Sequence, residues 1–226
     1  MAEETSKELP QTPGIYEETL TLKNGMPVRY TLSLPSGYKP GKSVPLVMAL
    51  HYGGTVTPWY SEPFLRYLVE PGLRELKAII IAPDCPDRDW HNPTVEAAVL
   101  ELLDFIKSHY PVKERQTVIT GFSMGGVGAW YMIARHPEVF SAAVPISSTA
   151  DQETMERLKD SPIYVFHSDK DEIFPVARME EIVQTLKKRD VPVKLEILQG
   201  ISHYHTGKFA VPLKKAVPWL KKVWAK

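Results

Sequence analysis

A serine flanked by glycines is the clearest chemical signal in the chain. Ser123 lies in the sequence GFSMGG, residues 121–126, between a β-branched run and a stretch of helical composition. A sharp strand-to-helix turn strains the serine backbone, and glycines at 121 and 125 let neighbouring backbones approach closely. The following helix would point free N–H groups and its positive end toward a developing oxyanion. The spacing therefore predicts a nucleophilic serine, with a plain strand-to-helix turn as the alternative.

A nucleophilic serine requires a histidine base and an acid that orients it, in the chain order Ser, Asp, His. Asp169 and Asp171 both follow one short apolar run, and His203 and His205 both follow a later one. Spacing alone leaves both choices open. Without the serine, these residues would be interpreted as ordinary polar loops.

The backbone donors for an oxyanion are expected in two places. The sequence HYGG at residues 51–54 follows an apolar run, and a glycine-rich loop there can aim a backbone N–H at the oxyanion. We expect Gly53 to supply one donor and Met124 to supply the other. Each such donor typically contributes about 3 kcal/mol to lowering the barrier. A simple glycine turn is the alternative interpretation of the loop.

The strands that would position these residues are indicated by two kinds of hydrophobic pattern. Residues 16–22 and 28–34 alternate in polarity around Asn24-Gly25, which predicts a tight hairpin and an antiparallel opening pair. Nearly continuous apolar runs predict buried parallel strands. These runs lie at residues 46–50, 78–82, 117–120, 142–146, 163–167 and 193–198.

Helices are predicted between the strands. Apolar residues recur at helical spacing from Val95 to Ile106, with Asn92 as N-cap and Pro93 at the first helical position. Further helices are predicted at 127–135, 176–186 and 217–224. The alternation predicts an α/β fold with a mostly parallel central sheet and helices on both faces. We expect one domain over residues 15–226, preceded by a loose arm at 1–14.

The composition narrows the possible ligands. The chain has 226 residues, with 27 basic and 27 acidic side chains. Because these charges balance, no overall electrostatic field would attract the protein to nucleic acid or to an anionic membrane. Cys85 is the only cysteine, which excludes a disulfide framework and a cysteine-based zinc site. We expect no metal and no cofactor. The expected protein is soluble, cytoplasmic as written or secreted if a signal peptide was trimmed.

Taken together, these segments resemble the α/β-hydrolase superfamily, and particularly the small esterases of the phospholipase/carboxylesterase and feruloyl-esterase-like groups. The resemblance covers nearly everything from Ile15 onward. It rests on residues 51–54, 121–126, Arg135-His136-Pro137, 167–171 with Pro175, and 200–203.

The resemblance implies which acid and which base are catalytic. In these families the acid precedes a Val-Pro pair, which corresponds to Asp171 ahead of Phe174-Pro175, and the base follows a glycine, which corresponds to His203. It thus favours Asp171 over Asp169 and His203 over His205. The sequence departs from the usual glycine at Tyr52, Ser168 and Ser202. Positions with structural roles in the family correspond to His51, His136 and His167.

The implied reaction is hydrolysis of a small or moderately sized carboxylic ester. The short segment between residues 146 and 163 predicts an open cleft with no large lid. Aromatic residues in nearby loops make an aromatic-acyl or sugar-linked ester a further hypothesis. Alternatives are a serine peptidase of the oligopeptidase type and a non-catalytic binding module, and the oligomeric state is not indicated. The candidate substrate-binding residues are Trp59, Trp90, Phe174 and Tyr204, with Tyr60 in the same loops.

Overall fold

A sheet of eight strands runs through residues 8–225, the part of the chain that the computed structural model describes. Its strands are β1 (Gly14–Thr21), β2 (Pro27–Leu34), β3 (Val44–Leu50), β4 (Ile79–Pro83), β5 (Val112–Phe122), β6 (Ala142–Ile146), β7 (Ile163–Ser168) and β8 (Val193–Leu198). They lie in the order β1-β2-β4-β3-β5-β6-β7-β8. The first two pairs, β1–β2 and β2–β4, are antiparallel, and the rest are parallel. The predicted sheet is therefore confirmed.

Helices cover both faces of this sheet, as predicted. They are α1 (Ser61–Phe64), α2 (Glu70–Leu73), α3 (Pro93–His109), α4 (Met124–Arg135), α5 (Gln152–Arg157), α6 (Val176–Lys187), α7 (Ala210–Leu213) and α8 (Ala216–Val223). Helices α3 to α6 contribute to the apolar cluster on one face, and the remaining four contribute to the other. Strand β3 serves both clusters, because Leu46 and Met48 join the first while Val47 and Ala49 join the second.

Local sequence signals account for several element boundaries. The side chain of Asn92 accepts a hydrogen bond of 3.0 Å from the Val95 N–H, so Asn92 caps α3 as predicted. The hairpin after β1 has a longer loop than the predicted tight turn, because its last paired residues are Thr21 and Pro27. Gly25 still supplies the positive φ that this loop requires, at 84°.

Two departures from the predicted pattern have identifiable reasons. The helical stretch from α1 to α2 contains prolines at 63 and 71, and it is broken into short pieces by a π-helical segment, Leu65–Val69. Strand β5 begins five residues before the predicted run at 117, and four of these extra residues are polar while three are exposed. Neither stretch carries a clean periodic pattern.

The amino-terminal arm is only partly within the described residues. Residues 1–7 lie outside them, and residues 8–13 form neither helix nor strand. Leu9 nevertheless packs against the core, and the Tyr110 hydroxyl donates a 2.9 Å hydrogen bond to the carbonyl of Pro10. This part of the expected loose arm is therefore attached to the domain, and the division at residue 14 stays a prediction. Among residues 8–225, no helix is both long and apolar enough to cross a bilayer.

Candidate active site

Ser123 occupies the turn between β5 and α4, at the carboxyl edge of the parallel strands. Its backbone has φ 56° and ψ −120°, a strained conformation for a residue with a side chain. A Cβ on Gly121 would overlap the carbonyl oxygen of Gly125, and a Cβ on Gly125 would overlap that of Leu50. The glycines at these two positions are therefore required by close backbone approach, as the sequence spacing predicts.

A chain of hydrogen bonds connects Ser123 to a histidine and a carboxylate. The Oγ of Ser123 is 2.9 Å from Nε2 of His203, and Nδ1 of His203 is 3.0 Å from both carboxylate oxygens of Asp171. An ionised carboxylate can only accept, so Nδ1 carries the proton. Nε2 is then free to accept the hydroxyl proton of Ser123. This is the protonation pattern that a histidine base requires.

Asp171 is oriented by backbone groups as well as by the histidine. One of its oxygens accepts hydrogen bonds from the N–H groups of Ile173 at 3.0 Å and Phe174 at 2.8 Å. Burial opposes ionisation of this carboxyl, but the bonds from His203 and the two amides outweigh burial and lower its pKa to about 2. Asp171 is therefore a carboxylate at neutral pH.

The next residue, Glu172, holds the same histidine by its backbone. Its carboxylate accepts a 2.7 Å hydrogen bond from the N–H of His203. This bond, with a second one from the Ser202 side chain, lowers the pKa of Glu172. Two consecutive carboxylates thus bind the side chain and the backbone of one histidine. The sequence shows two adjacent acids, but nothing in it indicates that both reach His203.

The two rival residues occupy other positions. One carboxylate oxygen of Asp169 accepts a 2.7 Å hydrogen bond from the N–H of Gly200, so this acid ties two loops together. His205 is exposed and contributes to the wall of a neighbouring groove. The structure thus brings Asp171 and His203 to Ser123 and leaves the rivals away from it. Ser168, where the family has glycine, accepts from the N–H groups of Lys170 and Ile201.

The two expected oxyanion donors lie close to each other in the cleft that contains Ser123. Gly53 and Met124 line the same cleft as Ser123, and a Cβ on Gly53 would lie 3.6 Å from the Met124 sulfur. Met124 is the first residue of α4, so its N–H has no partner within the helix. Both residues are therefore placed where the sequence analysis requires, and their role as donors stays a prediction.

A buried histidine supports the loop that carries Gly53. Nε2 of His51 accepts a 2.9 Å hydrogen bond from the N–H of Cys85, so Nδ1 donates to the carbonyl of Tyr52 at 2.6 Å. Burial lowers the pKa of His51, which favours the neutral ring that this arrangement needs. His51 acts here as a scaffold residue.

Ser123 opens into a cleft of about 610 Å³ with mostly apolar walls. No large lid covers it, since residues 147–162 contain only the short helix α5. Phe174 and Tyr204, two of the expected substrate-binding residues, line the cleft. Sequence reasoning missed several other wall residues, because the direction of a loop side chain is not encoded in local spacing. These are Tyr52, His91, Phe122, Val127, Ile173 and Thr206.

The expectation for the two tryptophans is corrected. Trp90 is 1% exposed, and its Nε1 donates a 2.9 Å hydrogen bond to the carbonyl of His51. It supports the 51–54 loop from below and belongs to the core. Trp59, at φ 55°, is not among the residues that line the cleft. Both lie near the site in sequence, but neither lines the cleft.

Within residues 8–225, no group of three or more His, Cys, Asp or Glu side chains could hold a metal ion. The groups at this site that can take part in chemistry are the hydrogen-bonded Ser123, His203 and Asp171.

The sheet order and the elbow at Ser123 place the chain among the α/β-hydrolases. It belongs to the family described as "Putative esterase", whose model matches residues 22–222. A solved structure described as a thermostable esterase is 26% identical and superposes with a TM-score of 0.74. That similarity covers 92% of this chain and 62% of the other.

Two curated relatives match shorter parts of the chain. A protein of Aquifex aeolicus, described as "Putative carboxymethylenebutenolidase", is 29% identical over 45% of this chain and 44% of its own length. Feruloyl esterase C of Emericella nidulans is 29% identical over 50% of this chain and 45% of its own. The matches thus span less than half of either relative. The predicted resemblance to esterases and feruloyl-esterase-like hydrolases is confirmed.

Proposed function

We propose that the protein is a serine carboxylic-ester hydrolase that works through an acyl-enzyme on Ser123. The observation that carries this proposal is the hydrogen-bonded chain Ser123–His203–Asp171 at the base of an open cleft. Membership of an esterase family supports ester cleavage as the reaction.

The first half-reaction forms the acyl-enzyme. Nε2 of His203 takes the proton of Ser123 as Oγ attacks the ester carbonyl, and the N–H groups of Gly53 and Met124 stabilise the oxyanion. The tetrahedral intermediate then expels the alkoxide, which takes the proton from His203 and leaves as the alcohol. Asp171 holds the imidazole in the required tautomer and stabilises its cation without accepting the proton.

The second half-reaction repeats these steps with water. His203 takes a proton from a water molecule, whose oxygen attacks the acyl carbon of the ester on Ser123. Collapse of the second tetrahedral intermediate returns the proton to Oγ and releases a carboxylic acid. No cofactor takes part in this sequence.

The cleft walls favour an acyl group with an apolar or aromatic body. Phe122, Phe174, Tyr52 and Tyr204 line the cleft, and no Lys, Arg, Asp or Glu of the described residues does so. Flat rings can stack on such walls. The proposed substrates are small or moderately sized esters, with aromatic-acyl esters among them. Similarity to a feruloyl esterase supports this choice.

The test compares p-nitrophenyl butyrate hydrolysis by the wild type and by Ser123→Ala, after thermal melts show that both are folded. We expect hydrolysis by the wild type only. Equal rates in the two proteins, or none in either, would contradict the proposal. Hydroxycinnamoyl esters and aminoacyl p-nitroanilides extend the assay. Faster cleavage of the anilides would favour a peptidase, and binding without turnover would favour a non-catalytic module.

A further inference from the structure

A second groove adjoins the cleft that contains Ser123. It has a volume of about 620 Å³ and shares three wall residues with the cleft, Tyr52, Tyr204 and Thr206. Its remaining walls combine apolar and aromatic side chains with a basic turn. Phe64, Tyr67 and Leu68 lie on one side, and His205, Gly207 and Lys208 lie on the other.

We propose that this groove binds the alcohol part of the ester and favours alcohols that carry a ring and a negative charge. The inference rests on the proposed esterase function, because it assigns one side of the same substrate. The cleft around Ser123 does not determine which alcohol is preferred as the leaving group.

The position of the groove assigns it to the leaving group. His203 hands its proton to the departing alcohol, so the alcohol must lie beside the imidazole. Residues 204–208, which follow His203 directly in the chain, form one wall of the groove. An alcohol protonated by His203 therefore faces this wall, while the acyl group has the space beside Val127 and Phe174 in the cleft.

The charge of the groove differs from that of the cleft. Lys208 and His205 line the groove, whereas no carboxylate of the described residues does so. Lys208 forms no ion pair within residues 8–225, and the nearby Glu62 is paired with Arg66. Glu172 accepts a hydrogen bond from the backbone N–H of His203 and does not line the groove. The ammonium of Lys208, which has no acidic partner among the described residues, thus attracts an anionic group.

The loop that carries Lys208 is anchored. Lys208 belongs to the 3₁₀ turn Thr206–Phe209, and its N–H donates a 2.9 Å hydrogen bond to the carbonyl of His205. Phe209 is fully buried, with its ring centroid 5.2 Å from that of Phe122, the residue before Ser123. A Cβ on Gly207 would lie 3.8 Å from the Tyr67 carbonyl oxygen. The turn that carries Lys208 is therefore held in place by a residue that packs against Phe122, the neighbour of Ser123.

Two exposed tyrosines account for the preference for a ring. Tyr67 is 65% exposed and Tyr204 is 72% exposed, and both line the groove. Exposed large aromatic side chains beside a reaction centre commonly mark a binding surface. Their faces can stack on a planar ring, while Lys208 binds an acidic substituent on it.

The experiment compares two esters that share the butyryl group and differ in the alcohol. 4-Carboxyphenyl butyrate releases a charged phenol, and 4-carbamoylphenyl butyrate releases a neutral one of similar shape. The wild type is compared with Lys208→Glu and Lys208→Gln. Lys214→Glu is the matched control, because Lys214 is exposed on a neighbouring turn and does not line the groove. Ser123→Ala is assayed with both esters.

We expect Lys208→Glu to lower kcat/KM for the carboxyphenyl ester about ten-fold and Lys208→Gln about three-fold, as for a solvent-screened charge pair. The carbamoylphenyl ester should change by less than about two-fold, and Lys214→Glu should affect neither. Raising the salt concentration should reduce the wild-type preference for the charged ester.

Two results would overturn the inference while leaving the esterase proposal intact. One is an unchanged ratio between the two esters in Lys208→Glu. The other is an equal loss with both esters, which would indicate a general structural effect. Failure of Ser123-dependent hydrolysis of the neutral ester would overturn the proposed function, and this inference with it.

Discussion

The turn at Ser123 and the aromatic walls of the cleft are built on different principles. At the turn, backbone atoms meet backbone atoms, and glycines 121 and 125 leave no space for a Cβ. In the walls, side chains such as Ile173 and Tyr204 are substantially exposed and are therefore less constrained by packing. The difference shows that the position of Ser123 is rigidly determined, whereas the residues that line the cleft can change at little cost to the fold.

The largest expected effect separates the two loop histidines. His203→Ala should lower kcat for p-nitrophenyl butyrate by a factor on the order of 10⁵, because the serine loses its base. His205→Ala should change kcat by less than about two-fold, since His205 does not line the cleft around Ser123. Steady-state kinetics on both folded variants make the comparison. A comparable loss in the two variants would contradict the assignment of the base.

The next effect concerns stability at the turn. Gly125→Ala would push a methyl group into the carbonyl oxygen of Leu50, where neither backbone can move freely. We expect a loss of about 4 kcal/mol or more in the free energy of unfolding, measured by urea denaturation. Gly207→Ala is the control, because its nearest atom would lie 3.8 Å away. Similar losses in both variants would show that the turn is not specially constrained.

The same contrast explains how much could be predicted from the sequence. The glycine spacing, the apolar runs and the Asn92 cap are local signals, and the sheet, its helices and the place of Ser123 follow from them. The choice of Asp171 and His203 needed the family resemblance, since Asp169 and His205 have equivalent spacing. Trp90 and Glu172 show the limit: whether a side chain turns into the core or toward a distant backbone N–H depends on tertiary packing.

The charge on Asp171 predicts a pH dependence of stability. Its pKa is about 2 in the folded protein, below the ordinary value of 3.8. The carboxylate therefore stabilises the fold above about pH 4, and this contribution, about 2 kcal/mol, is lost as the pH falls from about 4 to about 2. Unfolding of the wild type and Asp171→Asn is measured across that range. The difference in the free energy of unfolding between the wild type and Asp171→Asn should become smaller as the pH falls. A difference that stays constant would contradict a stabilising charge on Asp171.

Substitution of a buried aromatic residue and of an exposed one in the cleft wall should have different effects on stability and on KM. Trp90→Phe removes the hydrogen bond to the carbonyl of His51 and should lower stability by about 1.5 kcal/mol with little change in KM. Tyr204→Ala removes an exposed wall residue and should raise KM several-fold with an unchanged melting temperature. Thermal melts measure the stability of both variants, and steady-state kinetics measure their KM. If KM rose in Trp90→Phe and not in Tyr204→Ala, the roles assigned to these two residues would be wrong.

The smallest effect is expected for the acid that holds the histidine backbone. Glu172→Ala removes the acceptor for the His203 N–H and should lower kcat about five-fold with KM unchanged. Glu172→Gln should restore most of the rate, because its amide oxygen still accepts the bond. If the glutamine variant were as slow as the alanine variant, charge and not position would explain the effect.

Covalent labelling is the most direct test of whether Ser123 is the nucleophile. The folded wild type is incubated with a serine-directed fluorophosphonate, and the modified residue is located by peptide mass spectrometry. We expect one adduct, on Ser123, which is absent from Ser123→Ala and strongly reduced in His203→Ala. No adduct on the folded wild type, or an adduct that persists in Ser123→Ala, would contradict this assignment.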